Sequence, residues 1–193
     1  MLNKIEEIRS FIAIEVPQEA KAFLEKVSTE LKRTRADVKW VRPEGIHLTL
    51  KFLGQVRMDL IAVLERELAP VFAEFTPFEI QIAGLGAFPG LGRPRVVWAG
   101  LTEPFGALPL MAGRLDEKLE RFGFSREKRP FSPHLTLGRV RSNSGLAAMV
   151  ETVRQQMDIQ GPKFTADHAI LFQSILKPSG AEYRALCRFY FSR

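Results

Sequence analysis

The sequence predicts an α+β fold built on mostly antiparallel sheet. Three observations carry that prediction. Short β-branched and aromatic runs alternate with helix-periodic segments, but without the strict strand–helix–strand rhythm of a parallel sheet. The last two such runs are joined by Lys177-Pro178-Ser179-Gly180, a hairpin-type connection. The 193 residues, 46% hydrophobic and 26% charged, have the composition of a globular chain that buries a substantial core.

Arg9 to Val16 (RSFIAIEV) is β-branched and aromatic-rich and reads as a strand. Pro17 suits the first turn of a helix, and Ala20, Phe23, Leu24, Val27 and Leu31 follow at helical spacing. Lys32, Arg33 and Arg35 lie near its end, where the helix dipole favours cations. Val38 to Val41 is a short strand and Pro43-Glu44-Gly45 a turn. Ile46 to Leu53 (IHLTLKFL) is a strand that Gly54 should stop. A second helix starts near Met58, with Leu60, Ile61, Leu64 and Leu68 on its apolar face, and Pro70 ends or kinks it. Strands at Phe78 to Gly84 and Arg95 to Leu101 flank a Gly/Pro/Arg loop, Gly86 to Pro94. A third helix spans about Phe105 to Phe122, with Leu108, Met111, Leu115 and Leu119 on one face. A basic loop, Arg126 to Arg129, leads to the strand His134 to Val140 (HLTLGRV). A fourth helix covers about Gly145 to Met157. Phe164 to Ile175 and Tyr183 to Phe191 finish as two long strands.

The net charge of +6 favours polyanionic partners, nucleic acid first. A single cysteine, Cys187, excludes an internal disulfide framework and a cysteine-based zinc site, and fits a reducing cytosol. Met1 to Arg9 carries acidic and basic residues where a signal peptide needs an apolar core. The longest apolar runs fall far short of the roughly 18 residues that suggest a membrane span. The expected location is therefore cytoplasmic, with no membrane partner. Gly84-Leu85-Gly86 lacks the spacing of a phosphate-binding loop, and no His-x-His, His-x₃-His or Cys cluster supplies metal ligands.

One internal echo stands out. His47-Leu48-Thr49-Leu50 recurs letter for letter as His134-Leu135-Thr136-Leu137, in a chain with three histidines. In a strand, residues i and i+2 share a face. Each copy therefore sets an imidazole beside a hydroxyl and anchors two leucines in a core behind them. Imidazole is the group that holds acid and base forms together near neutrality, and two of them can act as one acid and one base. That pair suits in-line displacement at phosphorus, where one activates the nucleophile and the other protonates the leaving oxygen. Threonine hydroxyls are neutral donors to phosphate oxygens. Arg139, five residues after His134, could stabilise their growing charge, but its odd offset puts it nominally on the other face. A bulge at Gly138 would bring it round. The residues alone do not say which histidine is acid and which is base.

At these positions the sequence resembles the two-histidine phosphoesterases, and more closely the RNA 2′,3′-cyclic phosphodiesterases, also called 2′-5′ RNA ligases. The likeness extends through WVRPEGIHLTLKFLG (Trp40 to Gly54), the Gly84 to Gly100 segment, PHLTLGR (Pro133 to Arg139) and Ser174 to Tyr183. The resemblance implies one bilobal domain over residues 1–193, with two pseudo-symmetric α+β lobes, an internal duplication and the active-site cleft between the lobes. It implies opening of RNA 2′,3′-cyclic phosphate ends to 2′-phosphates without metal or cofactor. His47 would be the general acid and His134 the general base, with Thr49, Thr136 and Arg139 holding the phosphate. Ligation through a 2′-5′ linkage would be secondary. The implied partner is RNA with cyclic phosphate termini, tRNA fragments among them, and the implied state is a monomer.

Two other readings stand beside this one: a non-catalytic RNA- or nucleotide-binding module, and a phosphodiesterase for a small cyclic phosphate such as an ADP-ribose derivative. His168 lacks a threonine partner and reads as structural or rim. Cys187 reads as core. Phe52 could stack a base, but its offset of five from His47 puts it on the leucine side, in the core. Trp40 and Trp98 read as core too. Arg42, Arg93, Arg95, Arg126, Lys128 and Arg129 could steer RNA or be solvated surface charge.

Overall fold

The computed structural model describes residues 6–178 and 180–192. The first five residues of the segment weighed against a signal peptide, and Ser179 of the hairpin connection, lie outside them. The elements run β1 (Glu7–Glu15), α1 (Gln18–Arg33), β2 (Val38–Trp40), β3 (His47–Arg57), α2 (Ile61–Phe72), β4 (Phe78–Phe88), β5 (Val96–Thr102), α3 (Ala107–Glu120), β6 (His134–Val140), α4 (Leu146–Gln155), β7 (Gln160–Ala166), β8 (His168–Lys177) and β9 (Gly180–Tyr190). Short 3-10 turns at Pro43–Gly45 and Met58–Leu60 lead into β3 and α2. The fold is α+β, and every strand pairing is antiparallel.

The strands form one sheet in the order β7-β4-β5-β6-β3-β1-β8-β9, with β2 pairing β6 as well. Two halves of four strands meet at its centre, β6-β5-β4-β7 on one side and β3-β1-β8-β9 on the other. The strands carrying the repeated tetrapeptide are the innermost of each half. They meet at a single residue pair, Leu48 with Leu135.

The helices cover one face of the sheet. Leu24, Val27 and Leu31 of α1, Leu64, Leu68 and Phe72 of α2, Leu108, Met111, Leu115 and Leu119 of α3, and Met149 and Val153 of α4 are buried in one core. They pack with Leu48, Leu50, Leu135 and Leu137 from the two motif strands. Each such side chain contributes about 1.5–3 kcal/mol by burial, so the core fixes which face of each motif strand looks outward. The other face carries a smaller cluster of Phe11, Ala13, Ile170 and Phe172, with Tyr183 packed against it. Alternation along β1 explains the division: Ile12 and Ile14 go to the helix side, Phe11 and Ala13 to the open side.

Several boundaries differ from the sequence expectation. Gly54 does not stop β3, which runs on to Arg57; a positive φ of 71° at Gly54, opposite Ser10, is absorbed as an irregularity. β4 likewise passes through Gly84 and Gly86 to Phe88. Pro70 lies in the last turn of α2, which continues to Phe72. The run read as one strand, Phe164 to Ile175, is two strands broken at Asp167. β7 pairs β4 in one half, while β8 pairs β1 in the other. Side-chain pattern marks both as strand but says nothing of their partners. No helix of the described residues is long and apolar enough to cross a membrane.

Candidate active site

Because Leu48 pairs with Leu135, the two tetrapeptides lie side by side and antiparallel. That register sets His47 across from Thr136 and Thr49 across from His134. Opposed residues share a face, so the two imidazoles and two hydroxyls stand together on the open side of the sheet. In that register the histidines are diagonal neighbours.

Arg139 joins this group through a bulge. On the neighbouring β5, Trp98 pairs Thr136 and Val97 pairs Gly138, leaving Leu137 as an extra residue in β6. Leu137 and Gly138 are both buried, and alternation resumes with Arg139 on the open face. Its charge is felt at His134, where it adds to the lowering by burial, and at Tyr183, whose pKa burial raises and Arg139 partly offsets. Gly138 is required by close approach: a Cβ there would lie 2.5 Å from Val38 Cγ1 and 2.9 Å from Trp40 Cε3. Gly138→Ala must displace β2 or the bulge, and is expected to cost about 1–3 kcal/mol of stability. Gly113→Ala, at a helix position with open space around it, is the control and should be neutral or slightly stabilising in thermal melts.

The first copy carries the same device. Thr49 pairs Ala13 and Lys51 pairs Ile12, so Leu50, again the third residue after the histidine, is extra. Leu50 and Lys51 are both buried, and Phe52 turns to the open face with 56% of its surface exposed. Phe52 is thus not core, and it occupies the place in the first motif that Arg139 holds in the second. Its ring lies 6.1 Å from that of Phe11.

Aromatic rings back each histidine. His47 stacks on Phe11 at 4.6 Å and meets Tyr183 edge-on at 5.0 Å. His134 meets Phe88 edge-on at 4.9 Å, and Phe88 packs 5.2 Å from Trp98. Trp98 sits opposite Thr136, half-buried on the open face rather than in the core as expected. Gly86 leaves room for it, since a Cβ there would collide with the indole ring. Trp40, half-buried against the main core, does pack as expected.

Burial lowers the pKa of His47 to about 4; the Gly45 backbone opposes this and the charge of Lys21 adds to it. His134 is also lowered, by burial first and by Arg139 to a lesser degree, while its hydrogen bond to a backbone carbonyl works the other way. That contact joins Nδ1 to the Ser132 carbonyl at 2.8 Å, which leaves Nε2 for a substrate.

The other candidates lie apart. His168 Nδ1 is 2.6 Å from Asp167 Oδ1 and its Nε2 is 3.5 Å from Glu15, at the rim. Cys187 is buried in the core, which pushes its thiol up to about 11 and keeps it protonated. Arg42, Arg93, Arg95, Arg126, Lys128 and Arg129 are exposed or partly so, at the surface of the molecule. Among the described residues no group of three or more His, Cys, Asp or Glu could hold a metal ion. Sequence reasoning missed Phe11, Phe88 and Tyr183 behind the histidines, and Arg9, whose charge reaches Tyr183. Period-two alternation from Ala13 could have found Phe11 and Arg9. Nothing local marks Tyr183, which arrives through β9.

Residues 16–175 match the family model of the 2′-5′ RNA ligase superfamily. A protein of Archaeoglobus fulgidus named RNA 2′,3′-cyclic phosphodiesterase is 38% identical over 179 residues, which are 93% of this chain and 98% of that one. A protein of Aeropyrum pernix with the same name is 35% identical over 163 residues, 84% of this chain and 92% of that one. The crystal structure of TT0787 of Thermus thermophilus has the same fold, with a TM-score of 0.74 and 26% identity, over 95% of this chain and 97% of that one. The chain belongs to the 2′-5′ RNA ligase superfamily.

Proposed function

We propose that the protein hydrolyses RNA 2′,3′-cyclic phosphate ends to 2′-phosphates by metal-independent acid–base catalysis. The observation that carries the reading is the antiparallel pairing at Leu48 and Leu135, which gathers both His-x-Thr pairs on one face. The names of the relatives support the substrate class. Water attacks phosphorus in line with the 3′ oxygen; His134 takes the proton of water and His47 gives one to O3′ as the P–O3′ bond breaks. The products are a 2′-phosphate and a free 3′-hydroxyl. Thr49 and Thr136 donate to the non-bridging oxygens, and Arg139 offsets their developing charge. Phe52 offers its exposed face to a base. An RNA 5′-hydroxyl in place of water gives a 2′-5′ linkage. The repeat, the bulge at the same position and the innermost place of each motif strand in its half support an internal duplication within one bilobal domain, 1–193.

Burial keeps His47 neutral in the free protein at pH 7, so the proton donor forms when the phosphate anion enters the cleft and favours imidazolium. Both histidines are lowered, so the bell-shaped profile of kcat/KM is expected to peak below pH 6.5. The bell is the same whichever histidine is acid. A substrate with sulfur at the bridging 3′ position separates them, because a thiolate leaves without a proton. It should restore turnover to His47→Ala and not to His134→Ala. The primary assay is turnover of an RNA oligomer with a 2′,3′-cyclic end in EDTA, with identification of the product. A 3′-phosphate product, or loss of activity in EDTA, overturns the proposal. Binding without turnover would mark a binding module, and turnover of only a small cyclic phosphate would move the substrate class.

A further inference from the structure

We propose that a basic groove beside the two-histidine site binds the RNA strand leading up to the reacting end, the nucleotides 5′ of the cyclic phosphate. The inference rests on the phosphodiesterase reading and deepens it. After the Leu48–Leu135 pair, the second half of β3 has no hydrogen-bonded neighbour on the β6 side. The chain preceding β6 runs past that edge instead and leaves a groove of about 920 Å³. One wall is Phe52 to Arg57, the other Phe122 to Arg129. Phe52 connects the groove to the site: it lines the groove, and its ring lies 6.1 Å from that of Phe11, on which His47 stacks.

Its charge suits a polyanion. Arg57, Arg126, Lys128 and Arg129 line it against Glu7 and Glu127. Arg57 is engaged by Asp59 and Arg126 by Glu120. Lys128 and Arg129 are exposed and make no ion pair among the described residues, so they can meet phosphates without breaking one.

The wall that carries them is pinned. The bulge at Leu50 turns Lys51 to the helix side, where it is 3% exposed. Its Nζ donates to the Ser125 carbonyl at 2.6 Å and lies 2.5 Å from Asp116 Oδ1. The other Asp116 oxygen accepts the Glu127 N–H at 2.9 Å. A buried cation of the first motif strand thereby ties down the root of the basic loop, which lowers the ordering cost of binding along it.

The test compares the wild type with Lys128→Glu/Arg129→Glu on two substrates, an RNA hexamer and a mononucleotide, each ending in a 2′,3′-cyclic phosphate. For the hexamer, KM should rise about tenfold or more at low salt, and the salt slope of log kcat/KM should flatten by roughly 1.4 for two lost phosphate contacts. Mononucleotide turnover should stay within about twofold, with an unchanged melting temperature. A hexamer KM within about twofold of wild type, or equal losses on both substrates, overturns the groove. If the wild type turns over neither substrate, the phosphodiesterase reading fails, and fluorescence anisotropy with a labelled hexamer decides the groove alone. Weaker, less salt-sensitive binding by the variant supports it, and equal binding overturns it.

Discussion

Replacing His134 with alanine is expected to lower kcat on a cyclic-phosphate RNA by roughly 10²–10⁴-fold, the usual scale of one acid–base group. His47→Ala should lose a similar amount. The double variant should be little worse than either single one, because the two imidazoles act on one transition state and their losses do not add. Each single variant should also lose one limb of the bell-shaped pH profile. Affinity for the product oligomer should change only a few-fold, since Thr49, Thr136 and Arg139 remain. Near-full turnover in either variant would remove the mechanism.

Lys51→Met is expected to be strongly destabilising although it lies outside the site. It leaves Asp116, whose side chain is 17% exposed, without its cation, and frees the Ser125 carbonyl. Breaking a buried pair from one side costs about 3–5 kcal/mol. For a chain of this length that lowers the melting temperature by on the order of 10 °C. Lys51→Met/Asp116→Leu removes both charges and should regain much of the loss. If Lys51→Met alone melts within about 2 °C of wild type, the tie between β3 and the loop does not carry the weight assigned to it.

The repeated tetrapeptide made the centre of the site legible in advance. Alternation alone sets His47 with Thr49 and His134 with Thr136 on the faces where the structure has them, because the leucines between them need the core. Beyond four residues, local alternation fails at both copies for the same reason, an extra residue at the third position after the histidine. Gly138 advertised the irregularity in β6, so Arg139 could be anticipated. Lys51 occupies the matching place in β3 and advertises nothing, so Phe52 was assigned to the wrong face. Asp167 shows a second limit. One polar residue separates two strands that part for opposite halves of the sheet, and strand character along Phe164 to Ile175 holds no trace of that destination. Tyr183 and Phe88 were invisible because pairings distant in sequence bring them to the histidines.

The sheet order also dictates how the molecule comes together. β4, β5, β6 and β7 all come from one uninterrupted stretch, while β1 and β3 lie before it and β8 and β9 after it. One half is therefore an insertion in the other. On the ribosome, the inserted half can complete its ladders while β1 and β3 still wait for the C-terminal hairpin. Ala13 must find Ile170, 157 residues away, before Phe172 and Tyr183 can close on Phe11 and His47. Contacts of such long separation form slowly. A chain halted before residue 168 would hold both tetrapeptides and Phe11 but lack Phe172 and Tyr183, so the aromatic wall that completes the surroundings of His47 is among the last features of the protein to exist.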